Sequence, residues 1–294
     1  MKTPRLSTPA VRLRRMHDLL AQAYGPQHWW PAKTAFEVVL GAYLTQNTAW
    51  KAVERSLANL RAAGALTVEG LRSLDLGELQ LQVQPSGFHS RKAPALKAFL
   101  AMLDEEFGGS LETLAASPTE NLRRRLLALP GVGFETADAI LLYALGHPVP
   151  VADEYLRRIV ARHGLIEPAP GRNRKGYEAL ANLTRQAFAS DAAESQARLF
   201  NEFHALTVAL GKAHCRRTAH CAGCPLASDP HATEDLPHVA SPCAKAIPKV
   251  TERSRNGQVV YSSTGPPATG LRRPKEVKTT SLTLEDSTVI QKMP

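Results

Sequence analysis

Between Thr8 and Cys215 the apolar residues recur every three to four positions rather than every second one, as in Ala35, Val38, Val39 and Ala42 or Leu96, Leu100 and Leu103. That period keeps one face of a helix apolar. It predicts helices over 8–24, 33–46, 48–63, 89–107, 118–128, 134–145, 153–163, 174–190 and 192–211. No stretch alternates with period two for long, so the expected fold class is all-α. From about His231 the texture changes to Pro, Ser, Thr, Lys and Arg without apolar periodicity, as in Tyr261 to Gly270, and 231–294 reads as a disordered tail. No internal repeat of fixed period is visible.

Composition narrows the class. A chain of 294 residues that is 44% hydrophobic and 21% charged can bury a core without staples. Its longest apolar run, Ala139 to Leu145, is far below the roughly 20 residues that span a bilayer. Arg5, Arg12, Arg14 and Arg15 precede no apolar signal core, so a cytoplasmic, nucleoid-associated protein is expected. Lys and Arg number 36 against 27 Asp and Glu, a formal charge of +9. Such a balance favours a polyanionic partner, nucleic acid first, with charge kept only for solubility as the alternative. Four cysteines argue against a disulfide framework, and three of them between Cys215 and Cys224 suggest metal ligation.

Two local patterns carry chemistry. Leu129-Pro130-Gly131-Val132-Gly133 lies between two predicted helices. Two glycines let backbone approach a ligand, and the following helix offers free N–H groups, so the turn can hold a phosphate; an ordinary Gly-capped connection is the alternative. Arg123, Arg124 and Arg125 on the preceding helix favour a DNA phosphate. Val151-Ala152-Asp153 then opens the next predicted helix. An Asp there is either a simple N-cap or, at this spacing from the hairpin, a reactive carboxylate.

With Trp29-Trp30-Pro31, Leu40-Gly41-Ala42-Tyr43-Leu44-Thr45-Gln46-Asn47-Thr48 and Val83-Gln84-Pro85-Ser86-Gly87-Phe88, these patterns resemble the helix-hairpin-helix DNA glycosylases of the endonuclease III superfamily, and within it the 3-methyladenine DNA glycosylases of endonuclease III type. The resemblance covers about 8–228. It implies two helical domains flanking a cleft, one over 33–147 and one built from 8–32 plus 148–230. It implies a monomer acting on double-stranded DNA that contains a damaged base. The hairpin residues Gly131, Val132 and Gly133, with Arg124, Arg125 and a loop holding Ser86, would contact DNA. Gln46 would fill the gap left by a flipped nucleotide, or else serve as a polar helix end. Asp153 would stabilise the oxocarbenium-like state of N-glycosidic cleavage.

Trp29, Trp30, Trp50 and Tyr43 are the candidate walls of the base pocket, with Glu37 in reach; the alternative is that the tryptophans staple the N-terminal segment to the core. A base methylated on a ring nitrogen is cationic, so aromatic faces suit it. Lyase-competent members carry a Lys where this chain has Glu135, and a carboxylate forms no imine, so a monofunctional hydrolase of alkylated purines is expected. A glycosylase for oxidised, deaminated or mismatched bases, and a non-catalytic DNA-binding protein, are the alternatives. Cys215, Cys221 and Cys224-Pro225 resemble the superfamily's [4Fe-4S] loop, but Pro230 stands where its fourth thiolate belongs. His231 or Cys243 could complete a cluster; a zinc site and an empty loop are the other readings.

Overall fold

A computed structural model describes residues 8–27, 29–30 and 32–230. The expected tail over 231–294, with His231 and Cys243 in it, lies outside these residues. The described residues are helical and contain no strand, as the apolar period predicts. Thr8 caps α1 (Pro9–Tyr24), where Pro9 occupies the first turn and loses no hydrogen bond. Thr34 caps α2 (Ala35–Leu44), which is buried from Phe36 to Leu44 and is apolar on all sides. Then come α3 (Trp50–Ala62), α4 (Val68–Ser73), α5 (Leu76–Val83) and a single 3₁₀ turn over Gln84–Ser86. Next are α6 (His89–Phe107), α7 (Leu111–Ala115) and α8 (Thr119–Leu127). Beyond the hairpin are α9 (Phe134–Ala139), α10 (Glu154–Arg162), α11 (Arg174–Ala187) and α12 (Ala193–Ala213).

Three of these, α4, α5 and α7, were not predicted. Each is too short to show an apolar period, and each is set by its cap instead: Thr67, Asp75 and Ser110 accept from backbone N–H groups, and Asp75 forms a reciprocal capping box with Glu78. The predicted helix over 134–145 is not uniform either. It widens after Ala139 into a π-helical turn over Ile140–Ala144. An extra residue in a turn redirects the side chains beyond it.

The buried apolar residues form two clusters. One surrounds α2 and α6, with Phe36, Leu40, Tyr43, Leu96, Phe99 and Leu126. The other joins α1 to α10, α11 and α12 through Leu13, Met16, Leu156, Leu180, Phe200 and Leu206. The segment after the hairpin serves both: Ala137, Ile140 and Leu141 face the first cluster, Ala139 and Leu142 the second. Residues on this shared segment can therefore meet groups from either core. Among the described residues no helix is long and apolar enough to cross a membrane.

Candidate active site

Asp153 starts α10 as its N-cap, its Oδ1 accepting from Leu156 N at 2.8 Å, and it is buried. Its other oxygen faces Nε2 of His204 at 3.5 Å. His204 comes from the middle of α12 and is buried too. Its Nδ1 lies 2.5 Å from the hydroxyl of Tyr143, on the π-helical turn. The π-helical turn, α12 and α10, all packed on the second cluster, thus deliver three polar groups in a row.

Aromatic rings continue from this row. Trp29 meets His204 edge-on at 6.3 Å, and Tyr143 packs on Trp30 at 4.9 Å. Trp30 in turn meets Trp50 edge-on at 5.8 Å. Lys212 sets its ammonium 5.2 Å from the Trp29 ring. Trp30 sits with φ of 97°, in the left-handed region, and its ring lies against Gly41, where a Cβ would approach to 3.2 Å. Glycine there leaves room for the indole. All three tryptophans stay partly exposed while packing on neighbours, so they are both anchors and surface.

Glu135, in the first turn of α9, keeps water contact but is recessed among protein atoms. That desolvation, followed by the negative charge of Asp153, pushes its carboxyl up to about 7, with His204 opposing the shift. Burial, then Asp153, also raises the Tyr143 hydroxyl well above its usual range. Two carboxyl groups, Glu135 and Asp153, therefore share one site.

The hairpin is built as a close approach. Gly131 has φ of 75°, a conformation that suits glycine. Gln46 donates from its amide to Gly131 O at 3.0 Å and to Thr136 Oγ1 at 2.9 Å, tying the end of α2 to the hairpin. Gly133 caps α9 and Val132 tucks inward. Of the three arginines, Arg124 is exposed and bonds only Asn121, whereas Arg125 pairs with Glu106. Arg123 turns inward instead: it grips the fully buried Asp138 at 2.6 and 2.9 Å, and Tyr177 donates to the same carboxylate.

Three sequence candidates have buried side chains. Tyr43 is 1% exposed and packs on Phe99 within the first core, because α2 is buried on every side. Glu37 folds back to accept from Lys33 N and to pair with Arg61, completing the N-terminal cap of α2. Ser86 is 1% exposed; its hydroxyl donates to Val83 O, and its carbonyl accepts from Thr48 and from Lys92. Motif spacing marks these positions without saying which way the side chain turns. Lys92 is a buried ammonium satisfied by Leu44 O, Thr48 Oγ1 and Ser86 O at 2.7 to 2.8 Å, and it joins the loop after α2 to the loop before α6. Sequence reasoning missed Lys92, Tyr143 and His204; a lone polar residue on an apolar helix gives no signal of its partner.

Cys215 and Cys224 are free thiols, and Cys215 Sγ lies 3.0 Å from Arg162 Nη1. Burial pushes the Cys224 thiol up. Among the described residues no three His, Cys, Asp or Glu side chains come together as a metal ion requires. The described donor set therefore does not fit an iron–sulfur cluster.

The geometry has relatives. Residues 40–186 match the HhH-GPD superfamily of base excision DNA repair proteins. MJ1434 of Methanocaldococcus jannaschii, named a DNA repair glycosylase, is 36% identical over 214 residues, 72% of this chain and 92% of the relative. The chain belongs to the HhH-GPD superfamily. It is a DNA repair glycosylase of that superfamily. A crystal structure of H. pylori 3-methyladenine DNA glycosylase (MagIII) bound to 1,N6-ethenoadenine superposes with a TM-score of 0.57 at 30% identity, covering 70% of this chain and 98% of that one. Endonuclease III in a non-covalent DNA complex gives 0.59 at 21% identity, over 75% and 94% of the two chains, a likeness of fold alone.

Proposed function

We propose that this glycosylase removes an alkylated purine such as 3-methyladenine from double-stranded DNA by hydrolysis, acting as a monomer and leaving the strand uncut at an abasic site. The observation that carries this reading is the run of aromatic rings that includes Trp29, Trp30 and Trp50, beside a buried Asp153, with a carboxylic acid at position 135. A flipped purine received against those rings gains stacking, and a cationic one gains about 2 kcal/mol more once desolvated. Asp153 faces the sugar as the C1′–N bond lengthens, opposes the growing positive charge and directs water to C1′. A cationic base leaves without a strong general acid. Glu135 cannot form the imine that β-elimination needs. The likeness to an enzyme titled a 3-methyladenine DNA glycosylase and bound to 1,N6-ethenoadenine points the same way.

On the DNA side, the backbone of Gly131, Val132 and Gly133 with Arg124 would hold phosphates, and Gln46 would leave the hairpin to fill the vacated stack. The two apolar clusters correspond, in this reading, to domains over 33–147 and over 8–32 plus 148–230, with the pocket between them. The test is a set of duplexes each carrying one lesion: 3-methyladenine, 7-methylguanine, 1,N6-ethenoadenine, hypoxanthine or uracil. Alkylated purines should be released fastest, and Trp29→Ala or Trp50→Ala should slow them about 10- to 100-fold while non-specific DNA affinity changes little. Preference for uracil, or parallel loss of stability and excision in both variants, would refute it.

A further inference from the structure

The row Tyr143, His204 and Asp153 has a direction that proton bookkeeping fixes. Oδ1 of Asp153 is already taken by the cap bond from Leu156 N. Oδ2 looks at Nε2 of His204 across 3.5 Å. A bare Nε2 there would oppose one lone pair to another in a buried site, which neither group tolerates. Nε2 must carry the proton. A neutral ring then has a bare Nδ1, and the Tyr143 hydroxyl at 2.5 Å is placed to donate to it. The other acceptor in reach of that hydroxyl, Asn201 O, is 3.5 Å away. Were the ring doubly protonated, Nε2–H would still point at Asp153, and Tyr143 would instead accept from Nδ1–H, so the contact to Asp153 does not depend on the ring's charge while the tautomer role of Tyr143 belongs to the neutral ring.

Resting on the proposed role of Asp153, we infer that His204 is a positioning residue for that carboxylate and that Tyr143 sets the ring's tautomer. Burial alone would push a carboxylate toward its protonated form, which could neither oppose an oxocarbenium nor direct a water. The N-terminus of α10 and the Leu156 N–H act against that from one side. His204 acts from the other. The remaining charged or titratable groups that bear on this row are Glu135, Glu154, Glu202 and Lys212, and three of the four are acidic, so the His204 donor is the favourable contact they do not provide. The 3.5 Å gap leaves room to tighten when substrate closes the site, as catalytic hydrogen bonds do. Trp29, edge-on to the same imidazole, ties ring position to pocket shape.

The test is single-turnover excision from an alkylated duplex by His204→Ala, His204→Gln, Tyr143→Phe, Asp153→Asn and the Asp153→Asn/His204→Ala double variant, with DNA Kd and melting temperature recorded for each. His204→Ala should lose at least 10-fold in rate with Kd unchanged, and the acidic limb of its pH–rate profile should move to higher pH. His204→Gln, which keeps an N–H near the Nε2 position, should recover much of the loss. The double variant should be no slower than Asp153→Asn, because a residue acting through a carboxylate adds nothing once it is gone. Tyr143→Phe removes one oxygen only and should show a smaller rate loss with the same shift of the limb, so it serves even where His204→Ala folds poorly. Rates within twofold of wild type in His204→Ala and Tyr143→Phe, or losses that multiply in the double variant, would overturn the inference. Full activity in Asp153→Asn would instead overturn the role of Asp153 itself.

Discussion

At position 135 a carboxyl group changes both the chemistry and the charge of the site. Its raised pKa, about 7 against an ordinary 4.5, means that the folded protein holds a proton there that the unfolded chain has released. Between these two values the native state binds more protons, so the contribution of Glu135 to stability falls as pH rises through that window. Glu135→Gln should therefore melt near wild type at pH 4.5 and above it at pH 8; equal melting at pH 8 would show that the carboxyl is not held neutral. Function should run the other way. As pH passes 7, the new negative charge should lower KM for a cationic base and leave a neutral base unaffected, and Glu135→Gln should abolish that slope. The hairpin and Asp153 were legible in sequence because their chemistry lies in local spacing. His204 and Tyr143 were not, since only the meeting of α12 with the π-helical turn gives them partners.

Among the elements, α8 shows how a charge run divides by face. The period of Leu122 and Leu126 carries Arg123 toward Asp138, while Arg124 faces solvent. A lone Asp inside the apolar stretch 136–142 was the available signal that one of the three arginines would be structural. Arg123→Ala leaves a buried carboxylate unpaired and should destabilise the fold by about 3–5 kcal/mol. Arg124→Ala should leave stability unchanged, weaken DNA binding uniformly over sequences and lower the salt slope of binding by about one. Denaturant unfolding and DNA titration at several salt concentrations measure both; the reverse assignment of the two effects would contradict the orientation of α8. The helices α4, α5 and α7 escaped prediction because capping rather than periodicity defines them, and the burial of the Ser86 side chain was not legible because it comes from Lys92 and Thr48, which draw its loop inward.

On the scale of the molecule, the helical period of the sequence was enough to indicate an all-α fold, and the family motifs indicated where its chemistry sits. The two apolar clusters meet along the segment that runs from the hairpin through the π-helical turn. The proposed DNA grip, at Gly131 to Gly133, and the proposed reactive carboxylate, Asp153, are thus joined by one short stretch of chain. The formal charge of +9 suits a polyanionic partner. The most direct test is a time course on a methylated duplex that measures free 3-methyladenine and strand breaks separately, before and after alkali, for wild type and Asp153→Asn. Wild type should release free base while the strand stays whole until alkali is added, and Asp153→Asn should be slower by about 100-fold with DNA binding retained. Strand breaks that appear in step with base release, or an Asp153→Asn variant as fast as wild type, would contradict the account.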